Sequence, residues 1–397
     1  MKKAAGLLRS LMRTSIKTAR HGIAVNKLMT AMLIPAPPPK RKARARPAPS
    51  TAKPAPATAR PVSSAANANA NANANANANA NANAKAAPPS GSSYTAPGKW
   101  LTSHVDSAAN GRRMSYWLYL PSQVPEEALV SGLPLIVMLH GCHQTATQFA
   151  QGSRMNRWAE RKGYAVLYPQ QLVSNQAQRC WKWFDRATQE GGGDVPTIIS
   201  MIAQVAGAYR IDRSRIYVAG ISAGAGMANI LALNHPHLFA AVGLHSGPVF
   251  GAGHSTVGAL GVMQHGGGLR ADLAVREVLA RHGKFPGMPT ILIAGEGDSV
   301  VRPINQIQLA RQGLALNGLA PDAAARITHK AQGASARHNS HRIDDFYAGR
   351  KLLLRVARID ALDHAWSGGD PALKFNAKAG PDATKMMLEF FARHQRA

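Results

Sequence analysis

From about Trp100 onward, apolar residues fall into short runs separated by glycine-bearing or polar breaks, and the runs alternate between two kinds of spacing. Arg113–Leu120 (RMSYWLYL) reads as a strand. Leu133–Leu139 (LPLIVML) is apolar almost without interruption, as expected of a strand buried on both faces, and Tyr164–Tyr168 (YAVLY) repeats the pattern on a shorter scale. Thr197–Tyr209 has helical spacing, Arg215–Ala219 (RIYVA) is a strand entering a glycine turn, and Ala223–Leu233 is a helix of small residues. Further strands are predicted at Phe239–Leu244, Thr290–Ala294 and Lys351–Ile359. Asp382–His394 closes the chain as a helix carrying Met386, Leu388, Phe390 and Phe391. Strands that alternate with helices predict an α/β fold with a mainly parallel central sheet flanked by helices.

The N-terminal quarter follows different rules. Residues 1–34 read as a basic amphipathic segment, with Leu8, Leu11, Met12, Ile16, Ala19 and Ile23 on one side and Arg9, Arg13, Lys17, Arg20 and Lys27 on the other. Such a segment suits an anionic surface, either a membrane or a polymer granule. It also has the composition of an organelle presequence, and a poorly ordered basic tail is the plainer alternative. Residues 35–93 are a Pro/Ala-rich and Asn-Ala repeat linker, expected to be disordered because it has no large apolar group to bury. The folded domain is expected over residues 94–397.

Charge sharpens this division. The chain of 397 residues carries a formal net charge of +27, and residues 1–100 hold 16 Lys and Arg with no Asp or Glu. More than half of the excess therefore lies outside the expected domain, and charge alone gives no reason to read that domain as a nucleic-acid binder. No run reaches 18 apolar residues, so no transmembrane helix is expected. Basic residues also interrupt every candidate for a secretory signal. Two cysteines, Cys142 and Cys180, are too few for a structural zinc site. They leave open either one bridge, closing a loop of about 40 residues and favouring an extracytoplasmic location, or two buried thiols. No metal and no cofactor is expected.

The candidate chemistry begins at Gly220-Ile221-Ser222-Ala223-Gly224, a Gly-x-Ser-x-Gly string between a strand and a helix. A serine lifted above the sheet on so tight a turn requires small neighbours. Because its hydroxyl is a weak nucleophile at neutral pH, it needs a base, and the base needs an orienting acid. In chains with this turn the acid and then the histidine follow the serine. Asp298, in the loop after Thr290–Ala294, is the preferred acid, with Glu296 as its rival. His364, in Asp363-His364-Ala365-Trp366-Ser367-Gly368-Gly369, is the preferred base among 15 histidines. An oxyanion requires donors. The backbone N–H of Ala223 is one candidate, and that of Cys142, in the His140-Gly141-Cys142-His143-Gln144 loop, is the other. Trp181 and Trp366 are candidates to wall an apolar acyl site, with core packing as the alternative for these and for Trp183.

Together LPLIVMLHGCHQ, RMNRWAERKGYAVLYPQQ, RCWKWF, RIYVAGISAGAGMANILA, LFAAVGLHSG, GDSVVRPIN and HAWSGG resemble the poly(3-hydroxybutyrate) depolymerase family of esterases, in order over roughly residues 100–397. The resemblance implies an α/β-hydrolase fold, a Ser-Asp-His triad at Ser222, Asp298 and His364, an oxyanion amide at Cys142 and an extracellular location, with the surface of a cytoplasmic granule as the alternative. It departs from the family pattern at Asp363, where glycine is usual before the histidine, and at His143 after HGC. Three functions are weighed: an esterase of polyhydroxyalkanoate or its oligomers, an acetyl or feruloyl esterase of carbohydrate, and a non-catalytic protein docked on a granule or anionic surface through residues 1–60.

Overall fold

The computed structural model describes residues 96–106, 111, 113–333 and 337–396. The expected segments 1–34 and 35–93 lie outside the described residues. Twelve strands and ten helices are described. Ten strands form one sheet in the order β1-β2-β4-β3-β5-β6-β7-β10-β9-β8. These strands are β1 (Lys99–Asp106), β2 (Arg113–Leu120), β3 (Leu133–Leu139), β4 (Ala165–Pro169), β5 (Ile211–Ile221), β6 (Ala241–His245), β7 (Thr290–Gly295), β8 (Arg326–Lys330), β9 (His341–Ala348) and β10 (Lys351–Ile359). The stretch β4-β3-β5-β6-β7-β10 is parallel throughout, and antiparallel strands finish both edges.

The helices in chain order are α1 (Glu126–Ser131), α2 (Ala146–Ser153), α3 (Met155–Lys162), α4 (Arg186–Gln189), α5 (Val195–Ala208), α6 (Ala223–Asn234), α7 (Thr256–His265), α8 (Gly268–Arg281), α9 (Ile304–Leu316) and α10 (Ala383–Phe391). Side chains of β3 alternate between two apolar clusters. Leu133, Leu135, Val137 and Leu139 join residues of α5, α6, α8 and α9, whereas Ile136 and Met138 join residues of α2, α3 and α10. A strand sandwiched in this way has no polar face, which explains the uninterrupted apolar run in its sequence.

The expected strands and helices are present, with shifted ends. Tyr164 precedes β4, its N–H bonded to Ala159 O at the close of α3. Asp382 caps α10 by accepting the Lys385 N–H at 3.0 Å. The pattern did not foretell β1, the β8–β9 hairpin, or helices α7 to α9. Strand β8 (RITHK) is almost entirely exposed, so apolar alternation never had to develop there.

Topology places the site. The chain goes from β3 outward to β4 and then returns to the other side of β3 as β5, so consecutive connections diverge at the C-terminal ends of β3 and β5, where a crevice forms in an open sheet. The ends coincide in register, with Leu139 opposite Gly220 on one side and Ile221 opposite His245 on the other. Farther along, Gly295 of β7 pairs with Ile359 of β10. Loops after β3, β5, β6, β7 and β10 therefore meet over one edge of the sheet.

Candidate active site

Ser222 follows β5 directly and precedes the first residue of α6, with φ 56° and ψ −124°. A non-glycine residue adopts such a backbone only where its surroundings enforce it. The flanking glycines show how. A Cβ on Gly220 would lie 2.4 Å from the backbone of Gly224, and one on Gly224 would lie 2.0 Å from Leu139 O. The turn packs so tightly on β3 that only hydrogen fits at either position. The Ser222 hydroxyl is thereby held at the N-terminus of α6, where Ala223 carries one of the N–H groups that a helix leaves outside its own ladder.

Asp298 and His364 meet from neighbouring loops. His364 Nδ1 lies 2.8 Å from Asp298 Oδ2, and the other carboxylate oxygen accepts the N–H groups of Val300 at 3.0 Å and Val301 at 2.8 Å. Burial alone would push this carboxyl up. The adjoining His364, the Val301 amide and the Ser246 hydroxyl outweigh it and hold Asp298 below the ordinary aspartate value. Glu296, the rival acid, is exposed. Asp363 is also exposed, next to His364 but turned out to solvent.

Ser222 and His364 line one shallow cleft with Gly141, Cys142, Gln144, Ile221 and Phe375. The loop carrying Cys142 is anchored on every side. Cys142 is disulfide-bonded to Cys180. Gln144 Oε1 accepts the Gly141 N–H at 2.8 Å, Gln178 O accepts the His143 N–H at 2.7 Å, and His140 O accepts the Trp181 indole N–H at 3.0 Å. His140 itself is fully buried and its Nε2 accepts the Gln171 N–H at 3.2 Å. Burial lowers its pKa to about 4, so the ring is neutral near pH 7. Among the described residues no acceptor takes the Cys142 N–H. The backbone N–H groups of Cys142, which lines the cleft, and of Ala223, next to Ser222, are the candidate oxyanion donors.

The two tryptophans expected to wall an acyl site do not do so. Trp181 is fully buried against the His140 ring, and Trp366 is 1% exposed, packed between Phe149 and His245 with its N–H donated to Thr384 Oγ1 at 3.1 Å. Both rings fill core space beneath the loops and satisfy their only polar group internally, which removes them from the substrate surface. Trp183 is likewise core, 3% exposed and edge-on to Phe184. Their proximity in sequence to Cys180 and His364 was misleading because they point to the sheet side of those loops.

Several contributors escaped the sequence reading. Phe375 and Gln144 line the cleft. Behind Asp298 lie Ser246 and the fully buried His245, with His245 Nδ1 3.2 Å from Ser246 Oγ and His245 Nε2 accepting the Ser367 N–H at 3.3 Å. Burial and then the neighbouring His364 depress His245 to about 3. The position of this pair at the end of β6, between the strands bearing Ser222 and Asp298, was the available signal. Among the described residues no group of three or more His, Cys, Asp or Glu side chains could hold a metal ion, and no helix is long and apolar enough to cross a membrane.

A parallel sheet flanked by helices, with a serine on a strained strand-to-helix turn and a His-Asp pair on later loops, defines the α/β-hydrolase class. The chain belongs to the Esterase PHB depolymerase family, which it matches over residues 114–335. It is 31% identical over 225 residues to poly(3-hydroxyalkanoate) depolymerase C of Paucimonas lemoignei, covering 55% of this chain and 52% of that one. To acetylxylan esterase A of Emericella nidulans it is 33% identical over 147 residues, covering 36% and 45%. The chain thus spans about half the length of the curated relatives it matches. Acetyl xylan esterase from Aspergillus awamori shares the fold, with a TM-score of 0.57 at 20% identity over 74% of this chain and 99% of that one.

Proposed function

We propose that this protein is a serine esterase that hydrolyses poly(3-hydroxybutyrate) or its oligomers through an acyl-enzyme on Ser222. Ser222 Oγ attacks the ester carbon while His364 Nε2 takes its proton, and Asp298 holds the opposite ring nitrogen and stabilises the imidazolium. The N–H groups of Cys142 and Ala223 receive the oxyanion. His364 then returns the proton to the departing alkoxide. Water, deprotonated by the same ring, attacks the acyl carbon, Ser222 recovers its proton, and the acid leaves. The reading is carried by one observation: the 2.8 Å contact of His364 with a buried Asp298, in a cleft that Ser222 also lines.

Acetylxylan esterase relatives support a second reading, in which the acyl group is acetyl on a carbohydrate. Fold does not choose between them. Release of 3-hydroxybutyrate from a polymer film, set against acetate release from acetylated xylan, separates the two. Turnover of a short p-nitrophenyl ester that survives Ser222→Ala would overturn both. The Cys142–Cys180 disulfide supports an extracytoplasmic location, since such bonds persist in oxidising compartments. The role of residues 1–60 on a granule or anionic surface is part of the same proposal, tested by whether deleting residues 1–90 abolishes surface binding while ester turnover survives.

A further inference from the structure

One fully buried residue touches every segment that carries the proposed triad. His245 ends β6, between the strands that lead to Ser222 and to Asp298. Its carbonyl accepts the Ser222 N–H at 2.9 Å. Its Nδ1 lies 3.2 Å from Ser246 Oγ, and the Ser246 hydroxyl is hydrogen-bonded to the Asp298 carboxylate. Its Nε2 accepts the N–H of Ser367, on the loop of His364, at 3.3 Å. Trp366 of the same loop stacks on the ring, with centroids 5.0 Å apart and planes at 24°. Ser246 itself sits at φ 46°, a left-handed backbone that serine adopts only where its surroundings impose it, and Ile293 O accepts its N–H at 2.8 Å.

These contacts have only one consistent direction. A backbone amide donates and cannot accept, so Nε2, which faces the Ser367 N–H, must be the bare nitrogen of the ring. The neutral ring then carries its proton on Nδ1 and donates it to Ser246 Oγ. With a lone pair engaged in this way, the Ser246 hydroxyl keeps its own hydrogen for Asp298. The carboxylate thus receives the Val300 and Val301 amides, the Ser246 hydroxyl and His364 Nδ1, which together fill about four acceptor positions, its full capacity. Burial and then His364 hold His245 down at about 3, against an opposing pull from Asp298, so the ring is neutral near pH 7. A protonated His245 would set a second N–H against the Ser367 amide.

We infer that His245 is a positioning residue of the hydrolytic site: held in its Nδ1–H form by the Ser367 amide, it turns the Ser246 hydroxyl onto Asp298 and ties the loop of His364 to the end of β6. This rests on the esterase reading of Ser222 and deepens it. The imidazole of His245 never meets substrate. As Ser222 Oγ bonds to the ester carbon, its proton passes to His364 Nε2 and that ring becomes a cation. Asp298 faces the cation with its charge intact and takes no proton, because donors already occupy its oxygens. Without the Ser246 hydroxyl in place the carboxylate is free to turn and to carry His364 off the Ser222 hydroxyl. Such a shift slows the chemical step and leaves the substrate-contacting surface as it was.

Two measurements on the full chain test this. In protein labelled with ¹⁵N-histidine, the His245 ring is assigned through its contact with the Trp366 ring, and at pH 7 its proton is expected on Nδ1 alone. A proton on Nε2 overturns the inference whatever becomes of any variant. The second measurement is turnover of p-nitrophenyl acetate. His245→Gln keeps an acceptor for the Ser367 N–H and loses the donor to Ser246, so kcat should fall about tenfold with KM within about twofold. His245→Asn, whose amide nitrogen stands where Nδ1 does, should recover most of that loss. Ser246→Ala/His245→Gln should be about as active as either single variant, because both changes act on Asp298 through one hydroxyl. Losses that multiply to about a hundredfold in the double variant, equal impairment of the Asn and Gln variants, or wild-type kcat in His245→Gln each overturn the inference and leave the esterase intact. Failure of the wild type to cleave the ester, or cleavage that survives Ser222→Ala, overturns the esterase reading and the inference together.

Discussion

Asp298 and His364, 66 residues apart in sequence, are joined by a 2.8 Å hydrogen bond because Gly295 and Ile359 are register partners on adjacent parallel strands. The bond engages Nδ1 of His364, which leaves Nε2 for the proton transfer proposed above. Asp298→Asn would keep the shape and reverse the hydrogen-bonding demand on the ring. Turnover of p-nitrophenyl acetate is expected to fall about 10⁴-fold, with far-UV circular dichroism unchanged. A loss smaller than tenfold would mean that this pair does not run the reaction.

Ser246 supports the same carboxylate from behind, and its hydroxyl is one of the groups that hold Asp298 low. Ser246→Ala should reduce kcat/KM about tenfold through loss of one buried hydrogen bond to a charged acceptor. Ser246→Thr should restore most of it. If the alanine and threonine variants are equally impaired, packing rather than the hydroxyl is responsible.

The Cys142–Cys180 bond closes a loop spanning 38 positions. Replacing both cysteines by alanine should cost about 4 kcal/mol in urea unfolding by the chain-entropy estimate. Activity should suffer less, by under about tenfold, because the bonds from Gly141, His143 and Trp181 still hold the loop that presents the residue-142 amide. A collapse of kcat at conditions where the variant remains folded would show that the disulfide alone sets the oxyanion geometry.

Gly224 touches β3 so closely that an added methyl would overlap Leu139 O at 2.0 Å and His140 O at 2.5 Å. Gly224→Ala should destabilise the protein by about 3 kcal/mol and lower kcat by displacing the loop that carries Cys142. Retention of wild-type thermal stability and activity would contradict the packing described.

Three histidines are buried and neutral: His140 and His394, lowered by burial to about 4, and His245, lowered to about 3. The unfolded chain accepts these protons near the ordinary value of about 6.5. Between 6.5 and 4 the unfolded state therefore binds more protons, and stability must fall as the pH is lowered through that window. Each group contributes a slope of up to about 1.4 kcal/mol per pH unit. The depressed Asp298 acts in the same sense only below its ordinary value of 3.8. The urea midpoint at pH 5 is expected to lie well below that at pH 7, and a flat profile would refute the buried neutral assignments.

Much of this was legible in one dimension. The uninterrupted apolar run at Leu133–Leu139 read as a strand covered on both faces, Thr290–Ala294 read as a further strand, and the small residues around Ser222, set between a strand and a helix, read as a tight turn. Those signals are local, because propensity, periodicity and backbone sterics act between near neighbours. The edge elements were silent for the same reason, since β8 buries almost nothing and leaves no apolar trace. Trp181 and Trp366 show the limit most clearly. Adjacency to Cys180 and His364 could not reveal which side of a loop a ring would face, and packing turned both into the core. The sequence by itself determined the strand–helix alternation, the serine turn and the order of the reactive residues. Only the tertiary structure decided that Asp298 rather than Glu296 meets His364 and that Ser246 stands behind it, because these depend on strand register and loop convergence between segments far apart in the chain.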